Sequence, residues 1–262
     1  MREITQYVQT RNIGLLSGST GVAFYLYHCS RAYADASYAD DAMRLIYEIQ
    51  DHIDKDTSWS YAEGLAGIGS AISYLIRNGF IDAEADYILS EFDSLFSRNI
   101  YHGKHTDMTR DTGLIGIGYY LLNRISNSSG NEMLHLRFNH LLLLVMDILF
   151  ARLEIEGYTY PYAHSSILTA QEVKDCKRFL RKMSKTGLCP ELTGRALSVI
   201  EQLEPNEEDV FAAIENQDLK NSKDRIKVCM IQLFRENKNP IVTHLAALQL
   251  KYTSLPPWWE LF

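Results

Sequence analysis

A glycine pattern that occurs three times constrains this 262-residue chain more than any other feature. It reads Gly-x-x-Gly, apolar, Gly or Ala, x-x, apolar, and it begins at Gly18, Gly64 and Gly113. The third copy, Gly113-Leu114-Ile115-Gly116-Ile117-Gly118-Tyr119-Tyr120-Leu121, combines three glycines with two aromatics. The first glycines lie 46 and 49 residues apart, and a fixed period of that size marks a repeat architecture built from one supersecondary unit. After each motif apolar residues recur at helical spacing, as in Leu65, Ile68, Ile72, Leu75 and Ile76. A second helical segment precedes the next motif, so each unit reads as a helical hairpin. Glycine costs about 1 kcal/mol against alanine inside a helix, and two of them three apart share one face. The compensating gain expected here is close approach of another backbone at the start of an inner helix. Ser17 and Thr112, just ahead of two of the motifs, are the expected N-caps.

Taken in order, the first inner helix runs from Gly18 to about residue 34 and its outer partner from Tyr38 to about residue 53. The second pair covers residues 64–77, stopping at Asn78-Gly79, and 82–97. The third starts at Gly113 and turns at Asn127-Ser128-Ser129-Gly130 into a long outer helix that ends before Gly157. A fourth motif is due near residue 161, where Tyr158-Thr159-Tyr160-Pro161-Tyr162 stands instead. Helical segments are still expected over 168–184, 190–203, 207–216, 222–235 and 240–251. Residues 1–156 therefore read as regular hairpin repeats, and 157–262 as a degenerate helical continuation of the same domain. The tail Pro256-Pro257-Trp258-Trp259-Glu260-Leu261-Phe262 is aromatic enough to be expected docked on the body.

A net charge of −7 argues against a nucleic-acid footprint, which needs a basic stripe. The longest apolar run, Leu141-Leu142-Leu143-Leu144-Val145-Met146, stops at Asp147, far short of the roughly 20 residues of a membrane span, and reads as a buried helix segment. Four cysteines without Cys-x-x-Cys spacing and an amino terminus without an apolar signal core make the cytoplasm the expected location. Cys29 is expected to be a small buried hydrophobe.

Three motifs in register at this period resemble the glycine-rich repeats of the lanthionine synthetase C-like family, the cyclases that close thioether rings in modified peptides. The resemblance covers roughly residues 12–155. It implies an all-α fold, an α/α toroid whose inner helices line a cavity, with a precursor peptide or a peptide-modifying enzyme as partner. The chain is shorter than full-length members, so the ring is either incomplete or rebuilt in its last part. Active members hold zinc, which binds the substrate cysteine as thiolate while keeping one coordination position open. Their ligands are a Cys in a Trp-Cys-Tyr-Gly-like motif and a later Cys-His pair. The nearest matches here are Leu188-Cys189-Pro190-Glu191-Leu192-Thr193-Gly194 and Thr243-His244, which offer Cys189 and His244 and replace the third ligand by Thr243. Where the family has an aspartate four residues before the third motif this chain has Thr109, flanked by Asp107 and Asp111. His164 is the counterpart of a family histidine in a His-Gly-like element whose glycine is absent here.

Apart from the resemblance, Tyr101-His102-Gly103-Lys104-His105-Thr106-Asp107 is the densest cluster of polar chemistry in the chain. His105 and Asp107 could act as a base with its orienting carboxylate, or with His102 as metal ligands; the competing reading is a hydrated loop. Three functions stay open: a binding scaffold for a peptide or enzyme with a degenerate zinc site, an active divergent cyclase using zinc, and an (α/α)-barrel hydrolase of carbohydrates. The last needs two carboxylates across a cavity, and Asp107 and Asp111 are too close in sequence to form that pair alone.

Overall fold

A computed structural model describes residues 12–127, 130–155, 168–203 and 223–262. Among the described residues there is no strand, and the chain is all-α. It divides into two compact units, Met1–Thr57 with Glu207–Phe262, and the uninterrupted Ser58–Asn206.

The first unit holds α1 (Ser19–Tyr33), α2 (Ser37–His52), α10 (Lys223–Glu236) and α11 (Pro240–Lys251). Helix α1 packs between α2 and α11. Its turn into α2 is set by Ala34 in the left-handed region and by Asp35, whose carboxylate accepts from the Ser37 amide at 3.0 Å. Helix α2 buries Ala42, Leu45 and Ile49, one stripe at helical spacing, and exposes its charged residues. Asn239 caps α11 ahead of Pro240, with its side-chain oxygen 2.9 Å from the Ile241 amide and its Nδ2 donating to the Leu16 carbonyl at 2.6 Å. The aromatic tail is docked: Trp258 and Phe262 are buried, and the Phe262 ring lies 5.9 Å from that of Phe24.

The second unit holds α3 (Leu65–Arg77), α4 (Ala85–Ile88), α5 (Ser90–His102), α6 (Leu114–Asn127), α7 (Glu132–Arg152), α8 (Ala170–Thr186) and α9 (Pro190–Leu203). Helix α6 sits centrally, against α3, α7 and α8. The outer helix expected over 82–97 is two helices, broken at the buried Leu89, and it continues to His102 because Phe96 and Ile100 extend the buried stripe. The missing fourth motif costs the fold no helix. Thr169 and Glu172 form a capping box that starts α8, which packs on α6 as α3 does on the other side. The expected segment 207–216 and the turn residues 128–129 lie outside the described residues.

A buried ion cluster ties the outer and inner helices of this unit. The Arg124 guanidinium of α6 has no solvent exposure and grips Asp93 of α5 at 3.0 and 2.9 Å and Asp86 of α4 at 3.0 Å. Tyr120 donates its hydroxyl to the same Asp93 carboxylate, and the Phe138 ring covers Arg124 at 5.0 Å. Charges this deep are tolerated when paired; among the described residues Nε and one Nη of Arg124 are paired, while the other Nη is buried without a hydrogen-bond partner.

Candidate functional site

The three glycine motifs share a structure that explains their first residue. A seven-residue loop leads into each inner helix, over 12–18, 58–64 and 107–113. Its first residue, Asn12, Ser58 or Asp107, accepts with its side chain from the amide two residues on, at 2.8, 3.1 and 2.7 Å. The carbonyl of that same residue accepts from the first helical amide, Ser19, Leu65 or Leu114, at 2.9, 2.8 and 2.9 Å. The loop therefore satisfies orphan helix donors with its own backbone. Gly18 and Gly64 are extended, and no side chain caps either helix. What demands glycine there is space: a Cβ on Gly18, Gly64 or Gly113 would run into the carbonyl oxygen at the start of its own loop. Ser17 and Thr112 are accordingly not the caps. Ser17 accepts from Asn12, and Thr112 donates to Asp107 at 2.6 Å.

The expectation of close helix approach holds for the third glycine of the motif. A Cβ on Gly69 would fall 2.5 Å from Tyr120 Cε2, and one on Gly118 would fall 2.6 Å from Phe179 Cε2. Helices α3 and α6 thus each receive an aromatic ring, from α6 and α8 respectively.

In the second unit the loops are joined side by side. The Asp111 carbonyl accepts from the Tyr61 and Ala62 amides, both at 3.0 Å. On its other flank the loop 107–113 is held by α8: Glu172 accepts from the Met108 amide at 3.0 Å and Asp175 from the Arg110 amide at 2.8 Å. This rim collects Tyr61, Asp107, Arg110, Asp111 and Asp175. The Arg110 guanidinium lies 5.6 Å from the Tyr61 ring centre and pairs with Asp111 at 3.0 Å. Burial opposes the Arg110 charge, yet Asp111 and its other neighbours hold it protonated above the usual range. Burial also pushes the Tyr61 hydroxyl up to about 12 and raises the Asp175 carboxyl.

The residues singled out in the sequence take distinct positions. His105 is buried, and its Nε2 lies 3.1 and 3.3 Å from the Asn99 and Ile100 carbonyls, closing the carboxyl end of α5. Burial pushes its pKa down, which keeps the ring neutral and makes it a helix terminator. Burial works against ionisation of Asp107, but the Thr112 hydroxyl and the Thr109 amide outweigh it and hold the carboxyl below its ordinary value. Both Asp107 oxygens are thus engaged in shaping the loop. Asp111 is the accessible member, its side chain 51% exposed beside Arg110, so it can still accept from an incoming donor. His164 lies outside the described residues.

Cys189 belongs to the second unit and His244 to the first. Cys189 stands ahead of α9 with a φ of 48° and its carbonyl accepting from Thr193 at 3.0 Å. His244 lies on α11, with Nδ1 2.6 Å from the Pro240 carbonyl and its ring edge-on to Tyr25. Among the described residues no three His, Cys, Asp or Glu side chains are grouped to hold a metal ion. A zinc centre of this family type needs three protein ligands, and the described donors do not fit one.

Arg110, Tyr61, Glu172 and Asp175 were not singled out by the sequence. The signal for Glu172 is the Thr169-x-x-Glu172 spacing of a capping box; the others are joined to the rim only by the fold. Helical hairpins whose inner helices start from glycine-closed loops and interlock through aromatic rings on glycines define a helical-repeat protein. The family model described as lanthionine synthetase C-like protein matches residues 9–149, and the chain belongs to that family. No curated protein matches it.

Proposed function

We propose that the chain is a lanthionine synthetase C-like scaffold of peptide modification, which binds a precursor peptide without closing thioether rings itself. The observation that carries this reading is the contrast between an intact glycine framework and a degenerate donor set: the sequence retains Cys189 and His244 with Thr243 in place of the third ligand, and among the described residues no three donors are grouped to hold a metal ion. The peptide contact is assigned to the rim of loops 58–64 and 107–113. There the exposed Asp111 carboxylate accepts from peptide donors, while Asp107 and His105 hold the loop in shape. All four cysteines are free thiols, which supports a reducing, cytoplasmic setting.

The test pairs a binding measurement with a chemical one. A labelled precursor peptide encoded beside the chain's gene, carrying cysteine and dehydroalanine, is titrated with the protein and then alkylated. Saturable binding with every peptide thiol still alkylatable is expected, together with zinc well below one atom per chain by elemental mass spectrometry. Asp111→Ala should weaken binding about tenfold, in line with loss of one hydrogen bond to a charged group. Consumed thiols with one zinc per chain, lost in both Cys189→Ala and His244→Ala, would replace the scaffold by a divergent zinc-dependent cyclase. Failure of the peptide to bind at all would overturn both readings.

A further inference from the structure

Helix α5 has two faces at the same helical spacing. One buries Asp93, Phe96, Ser97 and Ile100 in its unit. The other, two residues further along, carries Leu95, Arg98, Asn99 and His102. These four line a shallow cavity of about 270 Å³, completed by Gly103 and by Trp59 of the loop 58–64. Trp59 is held by Phe96, whose buried ring lies 5.8 Å away and edge-on, and it is still 37% exposed. Leu95 and Trp59 give the cavity an apolar bed. Arg98 and His102 are both exposed, and among the described residues their side chains make no hydrogen bond or ion pair. No carboxylate lines the cavity. Glu91 lines a neighbouring one that shares Leu95 and Arg98, yet it forms no ion pair with Arg98. Neither cavity includes Arg110 or Asp111 of the loop rim, so this site is independent of the peptide reading given above.

We propose that the cavity beside Trp59 binds a carboxylate carried on a body the size of one aromatic ring. Charge selects an anion, because a cationic lining without an acidic partner stands here on a chain of net charge −7. The guanidinium of Arg98 selects a carboxylate, which its planar fork meets with two parallel hydrogen bonds. The bed selects the rest of the molecule, since an indole and a leucine side chain favour a packed ring over a bare inorganic ion. Size sets the limit. At about 270 Å³ the cavity falls just below the range of roughly 300–1,000 Å³ that drug-sized ligands occupy, so a ring with its carboxylate fits and a dinucleotide does not. This chemistry is shared by a free aromatic acid and by the carboxy-terminal aromatic residue of a peptide.

The probe is N-acetyl-phenylalanine, followed through the indole N–H resonance of Trp59 in the full chain and assigned with Trp59→Phe. A saturable shift with a Kd of about 1 mM is expected, the affinity of a ligand this small at ordinary efficiency per atom. N-acetyl-phenylalaninamide, the same body without the charge, should bind about tenfold more weakly, as loss of a charge-assisted hydrogen bond predicts. Arg98→Gln should weaken the acid to the same degree with an unchanged helical circular-dichroism spectrum, and Arg98→Lys should fall between. N-acetyl-Gly-Gly-Phe binding at least tenfold tighter than the acid identifies a peptide terminus as the source, whereas equal or weaker binding identifies a free acid. An amide as good as the acid, inorganic phosphate as good as either, or unchanged affinity in Arg98→Gln overturns the proposal. A Trp59 resonance unmoved at about 20 mM acid, well above the expected Kd, also overturns it.

Discussion

At Gly118 the first methyl group of any side chain would lie 2.6 Å from Phe179 Cε2, inside the van der Waals limit. Phe179 is a fully buried side chain in a packed core, so it has little room to yield. Gly118→Ala gains up to about 1 kcal/mol in helix propensity, but overpacking costs about 1–3 kcal/mol, and net destabilisation is expected in urea unfolding. Gly64→Ala should cost more, because the obstacle there is the Ser58 backbone carbonyl and the loop itself must move. His28 supplies a titration test. It is wholly buried with Nδ1 2.9 Å from the Phe24 carbonyl, and burial pushes its pKa down to about 4. The neutral ring is native, so its contribution is present in full above pH about 6.5 and is lost as pH falls towards about 4, a change of about 3 kcal/mol. His28→Leu should flatten the dependence of the urea midpoint on pH across that window.

Among the helices, the buried Arg124 cluster is the feature most sensitive to a single change. Arg124→Met leaves Asp93 buried without its cationic partner and should cost about 3–5 kcal/mol, whereas Arg124→Met with Asp93→Leu should recover much of the loss; thermal unfolding of the two variants compares them. The grip of α8 on the third loop is read by hydrogen exchange. Glu172→Ala and Asp175→Ala should speed exchange at the Met108 and Arg110 amides respectively, while amides in the middle of α3 stay protected. Much of this layer was legible in the sequence, because helix starts and the Asn78-Gly79 stop are local signals; the capping box of α8 is equally local but was not singled out. The ion cluster was not, since Asp93 and Arg124 carry no mark that links them across 31 positions. His105 shows the same limit: a histidine beside an aspartate suggests proton transfer, and only the fold reveals that its ring closes α5. The role of the first glycine was hidden for a subtler reason. Gly-x-x-Gly is compatible with close helix packing and with a loop carbonyl returning on the helix start, and the two readings differ only in which atoms occupy the space.

For the whole molecule, the division into units has an asymmetry in the chain. Ser58–Asn206 is one uninterrupted stretch, with its own buried cluster and its own interlocked inner helices. Produced alone, it should be helical and unfold in one cooperative thermal transition. The other unit is assembled from segments on either side of it, and α1 needs α11, whose Ile241 meets Gly21. That nesting imposes an order on biosynthesis. As the chain leaves the ribosome at about 5–20 residues per second, α1 and α2 emerge ahead of Ser58–Asn206 and must wait through the whole of it before Pro240–Lys251 arrives. At that rate the interval is tens of seconds at the slow end, with the apolar side of α1 uncovered. The hairpin of α1 and α2 is therefore the part of these two units most dependent on chaperones, although it is made before the unit that follows it.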